Sequence, residues 1–345
     1  MAAENRQVII RKIIRETHDT SSFLLQPISG HLEAKSGQFV TFTLKSYAGA
    51  EIRRSYSLSS SPELNEPLTV TVKRVPNGEV SRKFLDQFCE GEVLNTIGAS
   101  GMFVLPANMH KYQTFFFFAA GSGITPIFSL IKTLLHFHRE CRAILVYSNR
   151  NIAETIFYRQ LKELEVRYAS TFELHLLFSI STDLSRSRLT PTLLESFLSN
   201  YQVNSRNDLF YLCGPGDYMR MTYYTLMSLG VQPGRVRRET FFVQQPKVIP
   251  VPADTSPHKV TLISKDDSFT FTVQYPESIL NKARSLNIPL SFSCETGQCG
   301  TCVAKCLQGE VWMSRNEILL DEELQQGSVL TCTGYPVNGD VTLKI

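Results

Sequence analysis

Phe115-Phe116-Phe117-Phe118-Ala119-Ala120 runs directly into Gly121-Ser122-Gly123-Ile124-Thr125-Pro126. An apolar run with no alternation predicts a strand buried on both faces, the texture of a parallel sheet. The glycines predict a tight turn. Ile127, Leu130, Ile131, Leu134 and Leu135 at helical spacing, with Pro126 in the first turn, predict a helix after it. Helix N-termini hold anions, so a pyrophosphate fits at Gly121, Ser122, Gly123, Thr125 and Pro126. The turn departs from the dinucleotide fingerprint G-x-G-x-x-G, because Pro126 holds the place of the last glycine. A strand–helix turn with no ligand is the plain alternative.

The same texture extends over residues 109–245. Thr114 to Ala120, Ala143 to Tyr147, Phe172 to Phe178 and Leu209 to Cys213 read as strands buried on both faces, alternating with amphipathic helices. Leu209 to Cys213 also ends in a glycine turn, Gly214-Pro215-Gly216. Ligands of parallel sheets bind at the carboxyl ends of the strands. Cys213, Gly214 and Pro215 therefore join the first turn as candidates for holding NADPH or NADH. Tyr147-Ser148-Asn149-Arg150 lies past a third strand. Arg150 suits a 2′-phosphate, and no acidic residue is read at this strand end for a 2′-hydroxyl, which favours NADPH. A surface arginine is the alternative.

Working outward, residues 1–108 show short alternating runs such as Val8-Ile9-Ile10, Phe39-Val40-Thr41-Phe42 and Leu68 to Val72, punctuated by Gly and Pro. They predict an antiparallel β-barrel. On the other side, residues 246–256 hold closely spaced prolines and predict an extended linker. Residues 257–345 predict a small α+β domain with strands at Lys259 to Ile263 and Phe269 to Val273 and a helix near Ser278 to Leu286.

That last section contains Cys294-Glu295-Thr296-Gly297-Gln298-Cys299-Gly300-Thr301-Cys302, then Cys332. C-x4-C-x2-C with a distant fourth cysteine is the plant-type [2Fe–2S] spacing, with Cys294, Cys299, Cys302 and Cys332 as the ligands. Gly297 and Gly300 suit the tight curl because glycine tolerates positive φ. Cys306 is read as a bystander on the strand leaving the loop. A structural zinc site would need paired C-x2-C motifs, and only Cys299 and Cys302 have that spacing. Glu295 and Gln298 are expected on an exposed rim.

Arg54-Ser55-Tyr56-Ser57-Leu58 in the barrel section resembles the R-x-Y-S flavin motif of the ferredoxin–NADP reductase superfamily. With G-x-G-x-T-P at Gly121 to Pro126, C-G-P at Cys213 to Pro215 and the cysteine loop, the resemblance covers nearly the whole chain. It is nearest to the reductase components of multicomponent oxygenases that end in a ferredoxin domain, such as those of phenylacetyl-CoA epoxidase and ketosteroid hydroxylase, and to the hybrid-cluster-protein reductases. It implies a flavin-binding barrel, an α/β nicotinamide domain and a β-grasp ferredoxin domain. It implies that Arg54 meets the flavin pyrophosphate, that Tyr56, followed by Leu58, lies against the isoalloxazine, and that Ser57 bonds near N5. Val72, Lys73, Gly78, Val80 and Ser81 resemble a second phosphate loop, which favours FAD over FMN, with Ser81 as the N-cap of a helix over Arg82 to Phe88. Thr125 and Cys213 flank the nicotinamide. Glu239-Thr240-Phe241-Phe242 resembles the segment that ends beside the flavin.

The chemistry then expected is electron transfer from NADPH (or NADH) through FAD to the [2Fe–2S] cluster and on to a terminal oxygenase component. A free-standing reductase for another redox protein, and a non-catalytic iron–sulfur scaffold, are the alternatives. The net charge of +3 over 345 residues is too small to argue for nucleic acid. No window is long and apolar enough for a membrane helix, and the first residues lack a signal-peptide core, so a cytoplasmic location is expected.

Overall fold

The computed structural model describes residues 6–47, 49–183, 186–201, 203, 207–241, 250–264 and 267–345. Phe242 and residues 246–249 of the expected linker lie outside them. The chain forms two compact units that divide between Thr240 and Phe241.

The first unit opens with β1 (Arg6–Thr17), β2 (Thr20–Pro27), β3 (Phe39–Lys45), β4 (Glu51–Ser57), β5 (Thr69–Lys73), the helix α1 (Glu79–Asp86) and β6 (Val93–Ser100). The strands lie antiparallel in the order β4-β3-β6-β1-β2-β5. The two edges meet: Leu58 bridges Val70, and the Ser59 N–H donates to the Thr69 carbonyl at 2.9 Å. The sheet is therefore closed into a barrel, which leaves no open edge. Val8, Ile10, Phe23, Val40 and Phe42 point inward by the period-two rule. Phe84 of α1 plugs them, with ring centroids 5.2 Å from both Phe23 and Phe42. A buried aromatic of this kind is worth about 3–5 kcal/mol against truncation to alanine.

The same unit continues with β7 (Thr114–Ala120), α2 (Ile124–Phe137), β8 (Arg142–Asn149), α3 (Tyr158–Arg167), β9 (Phe172–Phe178), α4 (Pro191–Asn200), β10 (Asp208–Cys213), α5 (Gly216–Ser228) and β11 (Val236–Glu239). These strands are parallel, in the order β11-β10-β7-β8-β9, with β7 central. The phenylalanine run serves two cores at once. Phe115 and Phe117 pack with Leu130 and Leu134 on one face, while Phe116 and Phe118 pack with Leu194 and Leu226 on the other. Two expectations are corrected. Phe172 to Phe178 is not buried on both faces: among the described residues β9 pairs only with β8, and Glu173 to Leu176 stay half-exposed. The polar stretch Val236–Glu239, not expected to be a strand, adds a fifth beside β10.

Barrel and parallel sheet are pinned together. The Gly37 N–H donates to Ser129 Oγ at 2.9 Å, Ser61 Oγ donates to the Ser129 carbonyl at 2.8 Å, and Lys132 pairs with Glu66. A Cβ at Gly37, where φ is +83°, would fall 1.9 Å from the Phe103 carbonyl oxygen.

The second unit holds β12 (His258–Ile263), β13 (Ser268–Val273), α6 (Ile279–Ser285), β14 (Val303–Met313), α7 (Asp321–Gln325), β15 (Ser328–Leu330) and β16 (Gly334–Lys344). The strand order is β13-β12-β16-β14-β15, with β12 and β16 parallel and the other pairs antiparallel. Ile279 and Ala283 of α6 pack onto Val260, Leu262 and Leu343, which makes a β-grasp. Among the described residues no helix is long and apolar enough to cross a membrane.

Candidate functional site

The carboxyl edge of the parallel sheet is built from two turns in contact. β7 delivers Gly121-Ser122-Gly123 into α2, and β10 delivers Cys213-Gly214-Pro215 into α5. A Cβ on Gly123 would stand 2.0 Å from the Cys213 carbonyl oxygen and 2.7 Å from the Gly214 nitrogen, so only glycine lets the turns touch. Gly121 has φ +54° and faces open space. Thr125 Oγ1 donates to the Ser122 carbonyl at 2.9 Å, and Thr125 and Pro126 are buried in the first turn of α2. Those two residues shape the turn, while Gly121 and Ser122 border the open side.

The same edge carries buried polar atoms with spare hydrogen-bonding capacity among the described residues. Ser148 Oγ and Asn149 Nδ2 at the end of β8, and the Tyr218 hydroxyl in the first turn of α5, are buried and weakly satisfied among the described residues: Tyr218 reaches only Ser148, and Asn149 only Tyr147. Each such group costs about 1–3 kcal/mol unless something satisfies it. The donor set fits a polar ligand such as a nicotinamide nucleotide. Ser148 and Asn149 lie in the stretch the sequence singles out past the third strand, where only Arg150 is given a role; Tyr218, within a turn of the C-G-P motif, is passed over. Arg150 is 70% exposed and lies 3.9 Å from Glu154. Glu154 also accepts from Asn151 Nδ2 at 2.9 Å. This corrects the expectation that the strand end lacks an acid: the chain doubles back over Ile152–Glu154 and returns one to it.

In the barrel, β4 carries Arg54, Tyr56 and Ser57. Arg54 is exposed, with one Nη donating to the Arg53 carbonyl at 2.8 Å. The Tyr56 ring lies 5.0 Å from Phe84, edge-on, and burial pushes its hydroxyl pKa up. Leu58, Val72 and Val80 turn their side chains into the core, which leaves only main chain to meet a ligand. Lys73 pairs with Asp19 at 3.5 Å. The expected N-cap is corrected: α1 begins at Glu79 behind Gly78, and Ser81 lies inside it. Ser81 Oγ donates back to the Gly78 carbonyl and accepts from the Val75 N–H, both at 3.1 Å. A Cβ on Gly78 would meet Ser81 Oγ at 2.6 Å, so the turn into α1 requires glycine. An exposed guanidinium and a helix N-terminus are each suited to a phosphate.

Barrel and sheet meet at one buried cluster. Ser57 Oγ donates to Glu239 Oε1, and Glu239 lies beside Cys213 in the β10–β11 register. Burial pushes the Glu239 carboxyl up to about 8, with the Ser57 bond pulling the other way. Burial, and then the neighbouring Glu239, push the Cys213 thiol up as well. Burial thus favours the protonated form of both groups in the cluster.

In the second unit the four predicted cysteines meet two by two. The Cys299 thiol donates a hydrogen bond to Cys294, and the Cys332 thiol donates one to Cys302. Backbone N–H groups aim at the sulfurs: Thr296 and Gln298 at Cys294, Thr301 at Cys299, Gly297 at Cys332. Two thiol pairs wrapped in amide donors fit a two-iron cluster better than one tetrahedral ion. Gly297 and Gly300 have φ of +75° and +74°. Cys306 sits on β14, its thiol 3.5 Å from the Gln308 carbonyl. The expected rim is corrected in half: Glu295 is exposed, but Gln298 is only 6% exposed and bonds to Glu317 at 3.0 Å.

Three family descriptions match in order: an oxidoreductase FAD-binding domain at residues 7–105, an oxidoreductase NAD-binding domain at 117–223, and a 2Fe-2S iron-sulfur cluster binding domain at 263–337. The chain is 30% identical to a component of the 1,2-phenylacetyl-CoA epoxidase of Escherichia coli strain K12, over 97% of this chain and 96% of that one. It is 27% identical to the ferredoxin reductase component of 3-ketosteroid-9-alpha-monooxygenase of Rhodococcus rhodochrous, over 99% and 97%. Among solved structures it resembles phthalate dioxygenase reductase, with a TM-score of 0.58, 23% identity, and 98% and 97% of the two chains covered.

Proposed function

Because the chain belongs to the ferredoxin–NADP reductase superfamily, among the oxidoreductases that join FAD, NAD and 2Fe-2S domains, we propose that it serves as the reductase component of a multicomponent oxygenase. It takes electrons from NADPH, passes them through FAD to its own cluster, and hands them to a terminal component of the phenylacetyl-CoA epoxidase kind. We place it in the cytoplasm, where its eight unpaired cysteines stay reduced. The observation that carries the reading is the convergence of Ser57, Cys213 and Glu239 from three strands on one buried point.

When bound, the flavin accepts a hydride's two electrons together and releases them singly, which a nicotinamide donor and an iron–sulfur acceptor require. The residues do the positioning. Arg54 and the first amides of α1 would hold the pyrophosphate, with Tyr56 against the ring system. Gly121, Ser122 and the buried polar groups of Ser148, Asn149 and Tyr218 would hold the nicotinamide nucleotide, and Arg150 its 2′-phosphate. Ser57 and Glu239 keep a proton beside the reacting edge, exchangeable near neutral pH. The neutral Cys213 thiol shapes that edge and keeps water out. Cys294, Cys299, Cys302 and Cys332 would ligate the irons, and the surrounding amides stabilise their thiolates.

An anaerobic visible spectrum of the purified chain, titrated with NADPH and then NADH, tests this. Flavin and iron–sulfur bands are expected, both bleaching, with NADPH the more efficient. The chain alone should reduce cytochrome c and hydroxylate nothing. Absence of both bands would replace this reading with the non-catalytic scaffold.

A further inference from the structure

The segment between β14 and α7 grips both halves of the thiol set. On one side, the Glu317 N–H donates to the Gly297 carbonyl at 3.0 Å, and Gln298 Nε2 donates to Glu317 Oε2 at 3.0 Å. On the other, Thr333 Oγ1, next to Cys332, donates to the Arg315 carbonyl at 2.8 Å, and the Ser314 N–H donates to the Thr333 carbonyl at 2.9 Å. The loop of three cysteines and the strand end with the fourth are distant in sequence, so this segment fixes the spacing between them. There is no slack: a Cβ on Gly297 would fall 2.6 Å from the Arg315 carbonyl oxygen.

The segment also carries a charge pair. Arg315 Nε and Nη2 both donate to Glu317 Oε1, at 2.9 and 2.6 Å. The two side chains are only 19% and 26% exposed, so their field is screened less than that of a surface pair. Through Gln298 and Gly297 they stand one layer behind the cysteines.

We propose that Arg315 and Glu317 are positioning residues of the iron–sulfur site, clamping its two halves and holding its reduction potential in balance between their opposed charges. The inference rests on Cys294, Cys299, Cys302 and Cys332 being the ligands. Reduction adds one electron to the site and moves no atom. A nearby cation stabilises that added charge and a nearby anion opposes it. Paired, the two largely cancel; removing one releases the field of the other. A residue acting through packing alone would not shift the potential according to the sign of its charge.

The test is an anaerobic redox titration of the full chain, followed by electron paramagnetic resonance, alongside iron and sulfide content and the rate of iron loss to a chelator. Glu317→Gln, which keeps an amide for Gln298, should raise the cluster potential. Arg315→Gln should lower it, and the double variant should return to the wild-type value. Glu317→Ala should lose iron several-fold faster than wild type. Potentials that stay put in both single variants, or move in the same direction, overturn the proposal. If either single variant holds no iron, Arg315→Lys decides. It keeps the charge but not the two-point grip, so an unchanged potential with faster iron loss supports the proposal and any other result overturns it. A wild-type chain without iron would instead overturn the ligand reading itself.

Discussion

Ser57 donates its hydroxyl hydrogen to Glu239 across 182 positions of sequence, and so joins the end of a barrel strand to the last strand of the parallel sheet. The R-x-Y-S motif and the segment opened by Glu239, both read as flanking one ligand, thereby share one proton-bearing point. The bond costs the protein a buried carboxyl with one identified hydroxyl donor, which is why its pKa rises rather than falls.

That rise fixes the sign of a pH effect. A carboxyl held near 8 when folded, against an ordinary value of 4.5, favours the folded state fully at low pH and loses that contribution as pH rises through 8. Glu239→Gln keeps an oxygen for Ser57 and removes the titration. The urea midpoint of the cofactor-free wild type should fall between pH 6 and 9 by the equivalent of about 2 kcal/mol relative to the glutamine variant. In stopped-flow reduction by NADPH, a limb near pH 8 should vanish in the variant.

Gly123→Ala drives a methyl into main chain on the neighbouring strand, 2.0 Å from the Cys213 carbonyl oxygen. Main chain cannot step aside as a side chain can, so the two turns must part, at about 1–3 kcal/mol. The KM for NADPH should rise at least tenfold. Gly121→Ala meets open space and bears only the strain of φ +54°, about 1 kcal/mol, so it should be the milder of the two. Thermal melts with steady-state kinetics on both variants check the order.

What the sequence made legible, and what it did not, follows from range. The run Phe115 to Ala120 declares its strand because every residue is apolar, and the cysteine spacing declares its site because three ligands lie in one loop. Val236–Glu239 does not declare a strand: Arg237, Arg238 and Glu239 look solvated, and only the resemblance singles out Glu239. Yet Arg237 is buried and donates to the Met102 carbonyl at 2.5 Å, and Glu239 is buried against Ser57. Their burial is a product of partners far away in sequence. Ser81 misled for a local reason. A serine before a helical run has the composition of an N-cap, but Gly78 supplies the turn that only glycine permits, and the hydroxyl folds back onto it. Gln298 misled because a polar side chain in a loop reads as exposed until Glu317 is found beside it.

On the reading proposed above, Arg150 discriminates between the two nicotinamide donors. Its guanidinium is 70% exposed at the end of β8, and its neighbour Glu154 is 3.9 Å away, loose enough to yield to a phosphate. Arg150→Ala should raise the KM for NADPH about tenfold and leave that for NADH within twofold, since only the former carries the 2′-phosphate. Equal losses with both donors would remove Arg150 from the specificity site.

Cys306 and Cys332 separate ligand from bystander. Cys306 lies close enough in sequence to Cys302 to compete for an iron, but its thiol is spent on strand carbonyls of Gln308 and Gly309, both at 3.5 Å. Cys332 is buried, donates a hydrogen bond to Cys302, and receives the Gly297 N–H. Cys306→Ser should therefore keep two irons per chain and an unchanged cluster spectrum. Cys332→Ser should lose most of its iron on purification while the flavin still bleaches with NADPH, because the first unit contributes nothing to the thiol set. Iron content and visible spectra of the two variants decide it, and a Cys306 variant that loses iron would show that the ligands had been misread.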